Sequence, residues 1–148
     1  MSTIANKSKN NMEFRIVGLD IIEQSINQPQ SVISSSTNFN FSINVESKVD
    51  KSKKIVAIFT AIQVLGETNS KPLGQITTSC AYEIINFNEI VKEIDGDQIE
   101  IEEQSLSVLN LISLSTTRGI MYTVFKGTYL HNAILPIIDP AQLIKTIS

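Results

Sequence analysis

The side chains that most often carry chemistry in enzymes are scarce in this sequence. It has one cysteine, Cys80, and one histidine, His131, which cannot build a tetrahedral zinc site or a histidine relay. Cys80 lies in phase with an apolar strand pattern, which favours a small buried side chain over a nucleophile. His131 lies in the loop 127–136, where a surface or structural role is favoured over catalysis. We therefore predict no catalytic residue, no metal site and no enzyme activity.

The acidic segment 88–103 is a second place where chemistry is conceivable, because it holds seven carboxylates against one lysine. Paired carboxylates can act as acid and base or hold a divalent ion, but such a run is more often a solvated surface. The charge also suits a basic partner, and we predict Glu100, Glu102 and Glu103 as the contacting residues. The chain contains neither a P-loop nor a Gly-x-Gly-x-x-Gly motif, so no nucleotide or other cofactor is predicted.

The composition limits the classes of protein that remain. The 148 residues suit one domain, and Ile, Val and Thr make up nearly a third of them, which favours a sheet. The net charge of −3 disfavours a nucleic-acid binder. No apolar run is long enough to cross a bilayer, and the polar start of the chain predicts no signal peptide, so the lone cysteine fits the cytoplasm.

The apolar spacing predicts the elements that position these residues. Residues 1–11 are predicted to be a disordered arm, and residues 12–148 a single α+β domain with a four-stranded antiparallel sheet followed by one long and one short C-terminal helix. The predicted strands are 13–26, with one bulge or bend near Gly18 or Ile21, and then 37–50, 54–66 and 74–87. The predicted helices are 103–126 and a short one that begins at Asp139-Pro140 and runs to residue 147.

Two of these elements have more apolar surface than one small domain needs. The strand 54–66 is apolar on both faces, and the long helix is apolar nearly all round, which predicts a helix or another subunit as a second cover. Arg118 and Gly119 interrupt that helix, where glycine costs about 1 kcal/mol relative to alanine. The pair indicates either a close crossing of helix and sheet or a subunit contact in which Arg118 pairs with a carboxylate.

Several short motifs, taken in order, resemble the SecB and SecB-like export chaperones. They are Arg15-Ile16 and Asp20-Ile21, Val64 to Glu67, Leu114 to Gly119, Gly127-Thr128, Leu135-Pro136 and Asp139 to Leu143, so that the resemblance covers about residues 12–147. It implies a homotetramer, a dimer of dimers with long helices between the sheets, that holds unfolded polypeptides in hydrophobic grooves without ATP. The sequence ends at Ser148 without the acidic tail of the export-dedicated members, and it is longer than they are between Arg118-Gly119 and the proline loop.

The resemblance implies a function and places its residues. The leading hypothesis is a cytoplasmic holdase that binds unfolded polypeptides or preproteins for export through the Sec translocase, with SecA as partner. The alternatives are a SecB-like chaperone of a toxin–antitoxin system, with an antitoxin as partner, or an oligomeric α+β domain that binds a small molecule or is purely structural. The client-binding residues are predicted to be Phe39, Phe41, Tyr122, Phe125, Tyr129, Ile134 and Leu135, and the oligomer contacts Arg118 and Gly119.

Overall fold

The computed structural model describes residues 11–29, 38–66 and 71–139. The elements are β1 Phe14–Ile26, β2 Asn40–Asp50, β3 Ile55–Leu65, β4 Gly74–Ile84, α1 Phe87–Ile90, β5 Val91–Glu93, β6 Ile99–Ile101 and α2 Glu103–Phe125. The predicted α+β class, a four-stranded antiparallel sheet followed by a long helix, is confirmed. Residues 1–10 of the predicted arm and the predicted final helix beyond Asp139 lie outside the described residues.

The four long strands form one antiparallel sheet in the order β1-β4-β3-β2, so β1 and β2 are its two edges. β2 and β3 pair without a break along their whole length. Their register is fixed by a tight turn in which Asp50 Oδ1 accepts from the backbone nitrogens of Ser52 at 3.1 Å and Lys53 at 3.2 Å. The sheet therefore has one regular edge at β2.

The other edge, β1, is irregular. Its pairing with β4 shifts register between Ile16 and Gly18 and again between Ile21 and Glu23. Each shift leaves one extra residue, Val17 or Ile22, which is the definition of a β-bulge. One bulge or bend was predicted near Gly18 or Ile21, and the strand contains two bulges, one beside each of these residues. Because a bulge increases the local twist, β1 bends where β2 stays straight.

Helix α2 packs on β3 and β4 and buries one face of the sheet. Alternate residues of both strands point at the helix, and each fully buried aliphatic or aromatic side chain contributes roughly 1.5–3 kcal/mol. The buried apolar side chains of this layer include Val56, Ile58, Ile62 and Val64 of β3, Ile76, Cys80, Tyr82 and Ile84 of β4, and Leu106, Leu109, Leu114, Met121 and Phe125 of α2. The strand 54–66 was predicted to be covered on both faces. Within the described residues α2 covers one of them, and Ala57, Phe59 and Ala61 on the other are only partly buried.

The segment 85–103 differs from its prediction. The fourth strand ends at Ile84 rather than Phe87, and the acidic segment, for which no strand was predicted, folds as the short helix α1 and the hairpin β5-β6. Its apolar residues explain this, since Ile90, Val91 and Ile101 are buried while the acids between them face solvent. Gly96 makes the hairpin turn with a φ of +60°, a conformation that glycine adopts without strain.

The long helix agrees with its prediction to within one residue at its C-terminal end. Glu102 precedes it as N-cap, and its Oε1 accepts from the backbone nitrogen of Ser105 at 3.2 Å. The helix was predicted to be buried nearly all round. Instead, Asn110, Ser113 and Thr117 are on its buried face, while Val108, Ile112 and Tyr122 are exposed.

Candidate functional site

Cys80 and His131, the two side chains considered first for catalysis, both lie in surroundings typical of a structural role. Cys80 is fully buried in the middle of β4. His131 lies in the turn after α2, where its Nδ1 is 2.9 Å from the carbonyl oxygen of Thr128. Among the residues that the structure describes, no three His, Cys, Asp or Glu side chains are grouped so as to hold a metal ion. The candidate site is therefore sought among exposed apolar surfaces and not around a reactive side chain.

A line of buried hydroxyl groups fixes α2 on the sheet. Thr117 Oγ1 donates to the carbonyl oxygen of Ser113 at 2.7 Å, and Thr78 Oγ1 lies 2.7 Å from Thr117 Oγ1, so Thr78 is the donor of that second bond. The Tyr82 hydroxyl lies 2.8 Å from Ser113 Oγ, and burial raises the pKa of Tyr82. These bonds set which residues of α2 face the sheet. The sequence analysis did not predict them, although polar residues at positions 110, 113 and 117 of an apolar helix were the available signal.

The helix leaves the edge strand β1 uncovered. Ile16, Leu19, Ile21 and Ile26 pair in register with buried or glycine positions of β4, so they lie on the same side of the sheet as α2. All four are nonetheless exposed, as are Val17 and Ile22 at the two bulges. We call these six residues the β1 surface. It is a run of exposed apolar side chains on an edge strand, of the kind that marks an interaction site.

A second exposed apolar area runs along the outer side of α2. Val108 and Ile112 are exposed and one turn apart, and Gly119 follows Ile112 by seven residues, which places all three on one side of the helix. A Cβ atom built on Gly119 would have no neighbour within 4 Å. The crossing of helix and sheet that could have explained Gly119 is therefore absent from the described part of the chain, and the glycine borders open space. We call Val108, Ile112 and Gly119 the α2 stripe.

Arg118 binds the loop that follows the helix. Its Nε donates to the carbonyl oxygen of Leu135 at 2.8 Å, and its Nη2 donates to that of Pro136 at 2.9 Å. These bonds hold the loop against the side of α2. The partner of the guanidinium group in this chain is thus a pair of backbone carbonyls, whereas the sequence analysis considered a carboxylate of another subunit.

The same loop is anchored at the end of the sheet. The Tyr129 hydroxyl donates to the carbonyl oxygens of Asn27 and, at 3.2 Å, of Leu73. Gly74 makes room for the loop, because a Cβ atom at this position would approach Leu130 Cδ1 to 2.6 Å. The backbone of the loop 126–139 is therefore anchored at two places, around Tyr129 and around Leu135 and Pro136.

The structure divides the predicted client-binding residues into three groups. Tyr122 is 47% exposed and Ile134 is 54% exposed. Phe39, Phe41 and Tyr129 are partly buried against the core, and Phe125 and Leu135 are inside it at 1% and 2% exposure. Ile137, which the sequence analysis did not include, is 93% exposed.

The exposed residues among the predicted client-binding side chains, Tyr122 and Ile134, are both placed by their relation to Arg118. Tyr122 follows Arg118 by one helical turn, so the loop that Arg118 binds passes the side of α2 that carries Tyr122. Ile134 and Ile137 flank the two carbonyls that Arg118 holds. We call Tyr122, Ile134 and Ile137 the loop surface.

The predicted partner contacts lie at the opposite end of the helix. Glu100 and Glu103 are exposed, and together with Glu89, Lys92 and Glu102 they line a shallow cavity beside the hairpin. Glu102 has a structural role as well, since its carboxylate accepts from both the backbone nitrogen and the hydroxyl of Ser105. Glu93 on the same hairpin pairs with Lys51.

The comparisons with known proteins agree with this architecture at the level of the fold. No protein-family model and no curated protein sequence matches the chain. Among solved structures, the fold is similar to that of a SecB-like chaperone. No helix within residues 11–29, 38–66 and 71–139 is long and apolar enough to span a membrane.

That structure is the Mycobacterium tuberculosis Rv1957 SecB-like chaperone in complex with a ChAD peptide from the Rv1956 HigA1 antitoxin. The two chains superpose with a TM-score of 0.58 at 7% sequence identity, over 93% of this chain and 94% of the chaperone. A protein of unknown function from Streptococcus agalactiae is similar over 78% of this chain and 89% of its own, with 14% identity and a TM-score of 0.41. The likeness to the chaperone shows a shared fold.

Proposed function

We propose that this protein is an ATP-independent chaperone that holds unfolded polypeptide segments in the cytoplasm. The observation that carries the proposal is the loop surface, in which apolar side chains stay exposed on a loop that Arg118 and Tyr129 fix in place. A fixed apolar surface can bury the apolar side chains of a client, and such contacts are non-directional, so many sequences can bind. The fold of a SecB-like chaperone supports the same function.

An aggregation assay tests this proposal. The protein is added to a chemically unfolded client at a few molar ratios, without nucleotide, and light scattering is followed during dilution. We expect aggregation to be suppressed and a labelled unfolded client to migrate with the protein in gel filtration. Unchanged aggregation at a molar excess of the protein would contradict the proposal and would favour the purely structural alternative.

The proposed assembly is a homotetramer built through the β1 surface and the α2 stripe. An exposed apolar edge strand and an exposed helix stripe are both costly on a monomer, and Gly119 would let a second helix approach closely. Leu19→Asp places a charge in the β1 surface, whereas Asn44→Asp on the solvent side of β2 is a matched control. We expect light scattering to give a multimer for the wild type and the control, and a smaller species for Leu19→Asp. A wild-type monomer at micromolar concentration would contradict the proposed assembly.

The clients divide into two candidate classes. Preproteins for the Sec translocase would require a contact with SecA, for which Glu100, Glu102 and Glu103 are the proposed residues. An antitoxin segment is the second class, and the complex of the structural neighbour with an antitoxin peptide favours it. Isothermal titration calorimetry with purified SecA and with the ChAD peptide separates the two classes. A chaperone whose client is an antitoxin should bind the peptide and not SecA.

A further inference from the structure

Among the described residues, the charged side chains beside the loop surface are mostly basic. From Gln104 to Ile138 the sequence contains no Asp or Glu, and the carboxylate that ends this stretch is Asp139. The same stretch contains Arg118 and Lys126. The acids of the preceding segment lie at the other end of α2, beyond more than four turns of helix.

The basic groups lie beside the exposed apolar side chains. Lys126 is exposed and is the C-cap residue of α2, four residues after Tyr122, so both residues lie at the same end of the helix. Arg118 precedes Tyr122 by the same interval and touches the loop at Leu135 and Pro136. An apolar side chain bound between Tyr122 and Ile134 would therefore have a cation on each side of it.

The sheet end beside the loop adds to this charge. Lys71 is exposed and lies two residues before Leu73, whose carbonyl oxygen accepts from Tyr129. The nearest carboxylate of β1, Glu23, pairs in register with Thr77, and Thr77 is out of phase with the positions of β4 that face α2. Glu23 therefore belongs to the face of the sheet away from the helix, and it does not offset the cations at the loop surface.

We propose that the loop surface selects client segments in which acidic residues flank the apolar ones. The proposal rests on the proposed chaperone function and names its preferred client chemistry. Apolar contacts with Tyr122, Ile134 and Ile137 supply affinity, while Lys71, Lys126 and Arg118 favour carboxylates and disfavour lysine or arginine beside them. Because these cations are near the surface, the effect is moderate and is screened by salt.

Three labelled peptides with one common apolar sequence of two leucines and a phenylalanine test the proposal, with flanking residues that are all Glu, all Gln or all Lys. Binding to the full-length protein is measured by fluorescence anisotropy. We expect the Glu-flanked peptide to bind about fivefold more tightly than the Lys-flanked one at low salt, with the Gln-flanked peptide between them. In about 1 M salt, where the Debye length is about 3 Å, the difference should disappear.

Two variants assign the preference to this surface. Lys126→Gln should reduce the ratio of the two affinities, and Lys126→Glu should abolish or reverse it. Lys92→Gln removes another exposed lysine, at the acidic end of the molecule, and should leave the ratio unchanged. Thermal unfolding of each variant checks that the exposed substitutions leave the fold intact.

The peptide measurements distinguish a failure of the charge preference from a failure of the proposed chaperone function. Equal affinity for all three peptides, or tighter binding of the Lys-flanked peptide, would overturn the charge preference while the chaperone function stands. The same ratio in Lys126→Glu as in the wild type would also overturn it. Failure of all three peptides to bind would overturn both proposals.

Discussion

Tyr122 and Phe125 lie less than one helical turn apart on α2, and they belong to two different regions of the molecule. Phe125 is buried in the layer between the helix and the sheet, whereas Tyr122 is half exposed beside the loop. Leu135 and Ile134 repeat the contrast, although they are adjacent in sequence. Apolar residue type alone therefore does not assign a role to these side chains. What decides is whether other residues of the chain cover the side chain or leave it exposed to solvent.

The largest expected effect comes from truncating an interior side chain. Phe125→Ala should lower the free energy of unfolding by about 4 kcal/mol, because it removes a fully buried aromatic ring and leaves a cavity. Tyr122→Ala on the same helix should change it by at most about 1 kcal/mol. Chemical denaturation of both variants measures the difference. Equal losses would show that the division into interior and loop surface is wrong.

Removing a buried hydroxyl group that lacks a hydrogen-bond partner should have a smaller effect of opposite sign, which is an increase in the free energy of unfolding. The hydroxyl oxygens of Thr60 and Ser47 are buried and have no hydrogen-bond partner among the described residues. Thr60→Val removes one such hydroxyl at nearly constant shape and should raise the free energy of unfolding by about 1 kcal/mol. Thr77→Val, a half-buried position on the opposite face, should change it by less than about 0.5 kcal/mol. A loss of stability in Thr60→Val would mean that this hydroxyl has a partner.

The sequence predicted the regular parts of this fold well. The alternation along 40–50, the continuous apolar run along 55–65 and the long apolar helix all follow from local patterns that a single sequence displays, whereas only one of the two bulges of β1 was predicted. The hairpin β5-β6 was missed because its strands are three residues long and its acids dominate the local pattern. Short elements of this kind form when a few side chains, here Val91 and Ile101, find a place in the core.

The candidate site was less predictable, for a physical reason. Periodicity shows that residues 106–125 contain an apolar helix, but the bonds from Thr78 and Tyr82 to α2 decide which of its sides faces the sheet. In the same way, Arg118 holds the backbone at Leu135 and Pro136, and in this arrangement Ile134 is exposed and Leu135 is buried. Both depend on contacts between residues distant in sequence, which a local pattern does not contain.

The smallest expected effect on stability, and the most informative one for function, is that of Ile134→Ser. Ile94→Ser is its matched control, since Ile94 is the same residue type, is 58% exposed and lies on the hairpin at the far end of α2. Both variants should unfold within about 0.5 kcal/mol of the wild type, because neither side chain is part of the core.

The most direct measurement is therefore the affinity of these two variants and the wild type for one unfolded, labelled client at equal protein concentration. We predict that Ile134→Ser binds the client about fivefold more weakly than the wild type, in keeping with the loss of about 1 kcal/mol of apolar contact, while Ile94→Ser binds as the wild type does. Equal affinities for all three proteins would contradict the assignment of client binding to the loop surface.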